Sequence, residues 1–270
     1  MELQYVGKKH DDKKIIDLGD DVKIGDGSFT IIAGPCAVEN EKQMELVGEM
    51  LASLKIRLIR GGAFKPRTSP YSFQGLGFEG LKILREVAIK YNLKVVSEIM
   101  DPRDIEKALE YIDIIQIGSR NMQNYSLLKE VGKLNKPILL KRGMTATVKE
   151  WLMAAEYIAL EGNDNIILCE RGIRTFENYT RNTLDLTVVP ILKTLSKLPV
   201  IVDPSHGTGR RDLVIPMTRG AVAVGADGVM VEVHPDPTEA LSDGYQSLTL
   251  EQLKILYNEV KQIKKCIGEL

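Results

Sequence analysis

The segment PVIVDPSH (199–206) joins a short β-branched apolar run to polar residues that follow directly at its end. Such a run is typical of a buried strand. Eight runs of this kind can be counted along the chain: TIIAG (30–34), RLIRG (57–61), KVVSEI (94–99), IIQIG (114–118), PILLKR (137–142), NIILCERG (165–172), PVIVDPSH (199–206) and GVMVEVH (228–234). Their repetition decides the fold class.

Amphipathic stretches separate these runs. Met44, Val47 and Leu51 recur at helical spacing, and the stretch from Leu253 to Ile267 repeats the pattern at the end of the chain. Alternating strands and helices predict a parallel sheet with right-handed crossovers. Eight such units within 270 residues favour closure into a single (β/α)8 TIM barrel.

An open, doubly wound sheet is the alternative architecture. The turn after the first run reads AGPCAVEN (33–40), which is not a Gly-rich dinucleotide fingerprint and so counts against it. We divide the chain into an N-terminal extension, 1–28, and a catalytic barrel, 29–270. Alternation from Val22 to Ile31 around Gly25-Asp26-Gly27 predicts a small hairpin that plugs the N-terminal end of the barrel.

Composition and charge limit the function classes. Hydrophobic residues make up 44% and charged residues 27%, as in ordinary globular proteins. A net charge of -1 gives no reason to propose nucleic acid or a membrane surface as a partner. Three scattered cysteines fit a reducing cytoplasm better than a disulfide framework. Neither a signal peptide nor an apolar run of about 18 residues is found, so export and membrane spans are not expected.

The active site of such a barrel lies at the C-terminal ends of its strands. The first, seventh and eighth runs, which are neighbours in a closed barrel, bring there a thiol, an imidazole and two carboxylates: Cys36, His206, Glu232 and Asp243. A mixed S, N and O set suits one Mn²⁺, Fe²⁺, Co²⁺ or Zn²⁺ ion better than Mg²⁺ or Ca²⁺. The alternative is a buried structural thiol and a structural histidine.

Six cations form a second group at the same end of the barrel. They are Arg60, Lys65, Arg67, Arg120, Lys141 and Arg171. Alternatively, these six residues form a solvent-exposed rim of the barrel and pair with acidic residues. Unpaired cations that face one mouth would repel each other unless an anion were bound, so we expect an anion-binding site. Arg forks and Lys point charges suit phosphate and carboxylate groups.

Long stretches of the chain resemble one enzyme family. They are IIAGPCAVEN (31–40), GGAFKPRTSPYSFQGLG (61–77), IQIGSRNMQN (115–124), LKRGMTATVKEW (140–151), CERGIRTFENYTRNTLDL (169–186), VDPSHGTGRR (202–211) and GVMVEVHPDPTEALSDGYQSL (228–248). The family is 3-deoxy-D-arabino-heptulosonate 7-phosphate (DAHP) synthase, in the branch related to 3-deoxy-octulosonate 8-phosphate synthases. The likeness runs from about Phe29 to Leu270.

The resemblance implies roles for particular residues. Its metal ligands fall on Cys36, His206, Glu232 and Asp243. Its phosphoenolpyruvate-binding cations fall on Arg60, Lys65, Arg120, Lys141 and Arg171. Its aldose-phosphate motif falls on Lys65, Arg67 and Thr68, with Ser69 added by proximity. The resemblance also implies a metal-dependent homo-oligomer, a dimer or a tetramer, that catalyses the first step of the shikimate pathway.

In the implied reaction, C3 of phosphoenolpyruvate adds to the aldehyde of erythrose 4-phosphate, water attacks C2, and phosphate leaves. Lys65, Cys36 and His206 are the candidate catalytic residues. We assign proton delivery to Lys65, because the pKa of a lysine falls readily near other cations. Glu98, Asp203 and His234 are predicted either to orient neighbouring groups or to carry protons.

Three alternative functions stay open at this point. An octulosonate phosphate synthase would use arabinose 5-phosphate, but it typically carries a KANRSS-like segment where this chain reads KPRTS (65–69). A Schiff-base aldolase would need its lysine in an apolar pocket rather than among cations. A non-catalytic barrel that senses phosphorylated metabolites would not need the four metal ligands.

Many relatives carry an N-terminal ferredoxin-like domain or a fused chorismate mutase, through which pathway products inhibit the enzyme. About 28 residues precede the first strand here, too few for either module. We therefore expect a catalytic barrel without a regulatory domain, and no feedback inhibition through such a module.

Overall fold

A computed structural model describes residues 2–9 and 12–268. A two-stranded antiparallel sheet, β1 and β2, precedes a closed barrel of parallel strands in the order β10-β3-β4-β5-β6-β7-β8-β9. The bounds are β1 Ile16–Asp17, β2 Lys23–Ile24, β3 Thr30–Gly34, β4 Leu58–Arg60, β5 Lys94–Glu98, β6 Ile114–Ile117, β7 Ile138–Lys141, β8 Ile166–Glu170, β9 Val200–Val202 and β10 Gly228–Glu232. The predicted (β/α)8 barrel is confirmed.

Helices lie between the barrel strands and cover the outside. Their bounds are α1 Glu41–Ser53, α2 Phe78–Lys90, α3 Ile105–Ala108, α4 Tyr125–Gly132, α5 Val148–Leu160, α6 Val188–Leu195, α7 Pro204–Thr208, α8 Arg211–Ala223 and α9 Leu250–Gly268, with single 3₁₀ turns at Pro102–Asp104 and Ser119–Asn121. Side-chain caps fix where several begin: Asn40 accepts from the backbone N–H of Gln43 at the start of α1, and Thr147 and Glu150 form a capping box at the start of α5.

Closure depends on the pairing of the last strand with the first. β10 pairs in parallel with β9 on one side and with β3 on the other, where Val229 lies opposite Ile31. Most residues of these short strands are buried, because one face meets the barrel interior and the other meets the helices. The carboxyl ends of the barrel strands therefore converge on one end of the molecule.

The N-terminal hairpin was predicted at the wrong position. Pairing joins Ile16 to Ile24 and Asp17 to Lys23, so the turn lies near Asp20 rather than at Gly25–Gly27. Alternation from Val22 to Ile31 misled the prediction, because Thr30 and Ile31 already belong to barrel strand β3.

The predicted plug at the lower end of the barrel is present. Ile16, Val22 and Ile24 are buried in one cluster with interior residues such as Leu58 and Met230. The hairpin therefore fills the N-terminal end with apolar side chains.

The division into 1–28 and 29–270 stays a prediction. Both ranges include residues outside the described ones: Met1, His10, Asp11, Glu269 and Leu270. Among the described residues, none of the helices combines the length and apolar character that crossing a bilayer requires.

Candidate active site and metal centre

The four predicted donors come together at the C-terminal end of the barrel. Cys36 follows β3, His206 lies in α7, Glu232 ends β10, and Asp243 lies in the loop after β10. One ligand atom from each residue lies within 4.8 Å of the others. Segments at or after the ends of β3, β9 and β10 thus build a single cluster, as expected for neighbouring strands in a closed barrel.

The spacing of the four donors fits one metal ion. Cys36 Sγ lies 3.4 Å from Asp243 Oδ2, and His206 Nε2 lies 3.3 Å from Glu232 Oε1 and 4.0 Å from Asp243 Oδ2. Metal–ligand bonds of about 2.0–2.3 Å place ligand atoms about 3–4 Å apart, which these contacts match. The donor set is also the mixed one expected for a borderline divalent ion. Its role as a ligand set stays a prediction.

Asp203 orients the imidazole of His206. Its Oδ2 lies 2.7 Å from His206 Nδ1, and its Oδ1 accepts the backbone N–H of His206 at 2.9 Å. Nδ1 then carries the proton, and Nε2 faces the other donors with a free lone pair. Burial lowers the pKa of His206 although Asp203 and Glu232 oppose this, so the ring is neutral at neutral pH. A neutral imidazole held by a carboxylate is the form that binds metals.

The thiol of Cys36 lies next to a cation. Lys65 Nζ donates to Cys36 Sγ at 3.0 Å and to its carbonyl oxygen at 2.9 Å. Burial and the nearby Glu232 raise the pKa of Cys36 to about 12, while Lys65 opposes the rise. The thiol is therefore protonated at neutral pH, and a bound cation would favour the thiolate.

Glu232 is fully buried and ionised. Its Oε1 accepts from Arg60 Nη1 at 2.7 Å. Burial alone would raise the pKa of Glu232, but His206, Arg60 and Lys65 outweigh it and lower the pKa to about 2. At neutral pH the carboxylate thus keeps its charge in a dry place because the cations Arg60 and Lys65 lie near it.

A cavity of about 320 Å³ adjoins this cluster. All eight predicted substrate-binding residues line it: Arg60, Lys65, Arg67, Thr68, Ser69, Arg120, Lys141 and Arg171. His206 and Asp243 also reach its wall, so the cavity and the candidate metal centre are continuous. Arg60, Lys141 and Arg171 are buried, while Arg120, Thr68 and Ser69 are exposed near the mouth.

Two of the expected unpaired cations have partners. Arg60 pairs with Glu232, and Lys141 pairs with buried Asp203 at 2.6 Å. The expectation that these cations are unpaired is therefore wrong for both residues. Their charges are thereby offset. Arg60 couples the cation group to Glu232 of the metal centre, and Lys141 couples it to Asp203, which orients His206.

Arg171 differs from these two. It donates only to the carbonyl oxygens of Gly172 and His206, at 3.2 and 3.5 Å, and it forms an ion pair with none of the described carboxylates. Burial lowers the pKa of Arg171, and Asp203 only partly opposes this. A buried guanidinium without a counter-ion is the strongest local indication of an anion site in this cavity.

The loop after β4 brings the predicted aldose-phosphate residues to the cavity. Arg67 Nη1 donates to Ser242 Oγ at 2.7 Å, which ties this loop to the residue beside Asp243.

The lowered pKa expected for Lys65 is wrong. Burial does lower it, but the Cys36 sulfur and Glu232 outweigh burial and Arg60, so the pKa of Lys65 is raised. Lys65 therefore carries its proton at neutral pH.

Glu98 was named only as an orienting or proton-carrying residue. It ends β5, lines the cavity, and accepts from Gln116 Nε2 at 3.3 Å through Oε2. Its other oxygen, Oε1, is buried without a hydrogen-bond partner among the described residues. Burial raises the pKa of Glu98. Gly118 leaves it room, since a Cβ there would lie 2.0 Å from Glu98 Oε1.

His234, the third residue of that group, lies away from the cavity wall. Its Nε2 is 3.4 Å from Glu39 Oε2, and its Nδ1 accepts the backbone N–H of Asp236 at 3.0 Å. Glu39 Oε1 accepts the backbone N–H of Leu241. His234 and Glu39 therefore fasten the loop that leads to Asp243, which agrees with an orienting function.

Sequence reasoning missed three residues at the site. Arg181 lines the cavity, and its Nη1 lies 3.5 Å from Asp243 Oδ2. Ser242 Oγ lies 3.2 Å from Cys36 Sγ. Gln246 contacts both acidic donors. All three stand in loops rather than at strand ends, so neither periodicity nor strand position indicated them.

Comparison with known proteins shows the family of this chain. The model of the DAHP synthetase I family matches residues 9–269. A curated phospho-2-dehydro-3-deoxyheptonate aldolase from Thermotoga maritima is 58% identical over 259 residues, which cover 96% of this chain and 76% of that protein. A 2-dehydro-3-deoxyphosphooctonate aldolase from Syntrophotalea carbinolica is 35% identical, over 90% of this chain and 96% of the relative.

A solved structure gives the same result. The crystal structure of the DAHP synthase from Thermotoga maritima superposes with a TM-score of 0.96 at 56% identity, over 98% of this chain and 78% of that one. Identity of this level over nearly the whole chain shows more than a shared fold. The chain belongs to the DAHP synthetase I family.

Proposed function

We propose that this protein joins phosphoenolpyruvate, erythrose 4-phosphate and water to give 3-deoxy-D-arabino-heptulosonate 7-phosphate and inorganic phosphate. One observation carries the proposal: four donors within 4.8 Å of one another adjoin a cavity lined by seven arginine and lysine residues. In the reaction, C3 of phosphoenolpyruvate forms a bond to the aldehyde carbon, water adds to C2, and the C2–O bond to phosphate breaks. Membership of a metal-dependent family supports this assignment.

The proposed metal ligands are Cys36, His206, Glu232 and Asp243. A divalent ion of the Mn, Fe, Co or Zn class, when bound there, supplies Lewis-acid polarisation of the aldehyde oxygen or activation of water. Asp203 keeps His206 in the tautomer that presents Nε2, and Arg60 keeps Glu232 ionised. These contacts support the ligand set because they hold His206 neutral and Glu232 ionised, the protonation states in which these two residues bind a metal.

Cations overcome the repulsion between the two substrates. Two phosphates and one carboxylate bring about four to five negative charges into one cavity, which would keep the reactants apart in water. Arg60, Lys65, Arg120, Lys141 and Arg171 are the proposed ligands of phosphoenolpyruvate. Fixed orientation of two reactants can supply several kcal/mol of rate enhancement.

The loop after β4 is the proposed aldose site. Pro66 fixes one backbone φ between two cations, so Lys65 and Arg67 are presented at a set separation. Arg67, Thr68 and Ser69 then hold the phosphate of erythrose 4-phosphate. With a pentose phosphate, either the phosphate would lie away from these three residues or the aldehyde would lie away from the metal centre.

Lys65 is the proposed proton donor to the hydroxyl that forms from the aldehyde. Its raised pKa keeps it protonated at neutral pH, and its Nζ lies 3.0 Å from Cys36 Sγ, next to the metal centre. Its position between the two proposed substrate sites supports this role. Cys36 and His206 take part as ligands rather than as proton carriers.

Three further expectations complete the proposal. The protein forms a homo-oligomer, a dimer or a tetramer, and works in the cytoplasm, where its cysteines stay reduced. Cys36, Cys169 and Cys266 are free thiols, which supports a reducing compartment. Residues 1–28 form an extension that plugs the barrel of residues 29–270.

A substrate screen tests the function. Consumption of phosphoenolpyruvate is followed with erythrose 4-phosphate and with arabinose 5-phosphate, each with Mn²⁺ or with chelator. Misplacement of a reacting group by about 1 Å can cost on the order of a hundredfold in rate, so we expect kcat/KM to favour erythrose 4-phosphate clearly. Equal values or a preference for the pentose would assign the octulosonate reaction instead. Turnover with neither sugar would favour a sensing barrel.

A further inference from the structure

Gln246 has no part in the function proposed so far, yet it touches the candidate metal centre directly. It is fully buried in the loop after β10. Its Nε2 lies 2.5 Å from Glu232 Oε2 and 3.4 Å from Asp243 Oδ2. One side-chain amide thus donates to both acidic members of the four-residue cluster.

The orientation of this amide is determined by its neighbours. Gln246 Oε1 accepts from Arg181 Nη1 at 3.3 Å, while the two carboxyl groups face its nitrogen. An exchange of amide oxygen and nitrogen would set the oxygen against two carboxyl groups and the NH₂ group against a guanidinium. Both contacts would then repel, so only the observed orientation satisfies all three partners.

The backbone reinforces this arrangement. Asp243 has a left-handed φ of 53°, and its carbonyl oxygen accepts from the N–H of Gln246 at 3.2 Å and from Ser247 Oγ at 3.1 Å. A Cβ at Gly244 would lie 2.1 Å from Pro237 O, so glycine is required within this turn. The tight turn folds the Gln246 side chain back onto the Asp243 side chain.

The two oxygens of Glu232 therefore have different partners. Oε1 lies 3.3 Å from His206 Nε2 and 2.7 Å from Arg60 Nη1, whereas Oε2 faces Gln246. The amide occupies the oxygen that would be needed for bidentate binding. It also offsets the repulsion between two carboxyl groups held close together in a dry site.

We propose that Gln246 is a positioning residue of the metal centre, which presents Glu232 through Oε1 alone and keeps Asp243 beside it. This inference rests on the proposed metal site and adds to it a residue outside the ligand set. A partner that orients a metal ligand typically contributes 10–100-fold to metal affinity. Removal of the amide should change the geometry of binding as well as its strength, because Glu232 would be free to turn.

Titration of the metal-stripped protein with Co²⁺ tests the inference without use of activity. Calorimetry gives the affinity, and the visible absorption of Co²⁺ reports coordination number and thiolate binding. Gln246→Met keeps the length of the side chain but removes its donors, so we expect Co²⁺ to bind about 10–100-fold more weakly, with shifted bands. Gln116→Met is the matched control, since Gln116 is also buried and donates to a carboxylate, Glu98, outside the cluster. It should keep the affinity and the spectrum of the wild type.

The outcomes separate the two proposals. If the wild type binds no Co²⁺, the proposed metal site fails. If the wild type binds and Gln246→Met binds equally well with the same spectrum, only the positioning role is overturned. If Gln116→Met weakens Co²⁺ binding as much as Gln246→Met does, the positioning role is also overturned, because loss of any buried amide near the cavity would then have the same effect. Gln246→Asn, one methylene too short to reach both carboxyl groups, serves if the methionine variant does not fold. Gln246→Asn should also weaken Co²⁺ binding, and a wild-type affinity in this variant would contradict the inference.

Discussion

The two ends of the barrel are built from opposite kinds of residues. At the N-terminal end, Ile16, Val22 and Ile24 fill the opening with apolar side chains. At the C-terminal end, Arg60 and Lys141 are buried together with acidic partners. Burial of apolar groups is favourable without any ligand, whereas burial of charges is costly unless each is compensated. The lower end therefore contributes stability, and the upper end carries binding and chemistry.

The largest expected effect is at the upper end. Cys36→Ala should lower activity by more than about a hundredfold, because loss of a ligand exceeds the 10–100-fold cost of losing a residue that only orients one. Metal content, measured after dialysis against trace metal, should fall in parallel, while the circular dichroism spectrum stays that of the wild type. Cys169→Ala is the control, since Cys169 is equally buried but lies outside the four-donor cluster. Full activity of Cys36→Ala after chelation would show that Cys36 is not a ligand of the metal centre.

At the lower end we expect the reverse pattern. Ile24→Ala should lower the free energy of unfolding by about 2–5 kcal/mol, because it leaves a cavity in the plug. It should leave kcat/KM within about twofold of the wild type, since catalysis depends on the other end. Urea unfolding and steady-state kinetics measure the two quantities. Ile255→Ala on α9, where Ile255 is 50% exposed, is the control and should cost little stability. A large loss of activity in Ile24→Ala would show that the two ends are coupled.

The smallest expected effect is a pH dependence caused by Glu98. Burial raises the pKa of Glu98 above its ordinary value of 4.5, so the folded state holds this proton more tightly than the unfolded state does. The contribution of Glu98 to wild-type stability should therefore be greatest below the ordinary value and fall as pH rises through the raised one. A single carboxyl group causes this decrease, so we expect it to be smaller than the loss of stability in Ile24→Ala.

Glu98→Gln should lack this part of the decrease. Urea unfolding of both metal-free proteins between pH 4 and 8 gives the comparison. Parallel pH profiles for the two proteins would mean that Glu98 does not hold a proton more tightly in the folded state.

The sequence predicts the parts of this molecule that follow from periodicity. Eight β-branched runs specify the barrel, and polar residues directly after them specify which side chains meet. Cys36 and Glu232 could be assigned to one cluster because strands that carry them pair when the barrel closes.

Loop residues could not be predicted in the same way. Arg181 and Gln246 reach the site through turns whose direction depends on tertiary contacts, and spacing says nothing about these. The pairing of Lys141 with Asp203 was also missed, because a residue that ends β7 and a residue 62 positions later, directly after β9, meet only after folding. The misplaced hairpin has a related cause, since the alternation of Val22–Ile31 serves two different sheets.

The apolar plug has a consequence for the route by which substrates and water reach the cavity. Ile16 and Ile24 continue an apolar cluster that includes Leu58 and Met230 of the barrel interior, so the described residues leave the cavity no passage to the lower end. Water displaced by an entering substrate must therefore leave at the C-terminal end of the barrel, where the substrate enters. The packed interior, closed below by the hairpin, thereby sets the end of the barrel at which substrates enter and products leave.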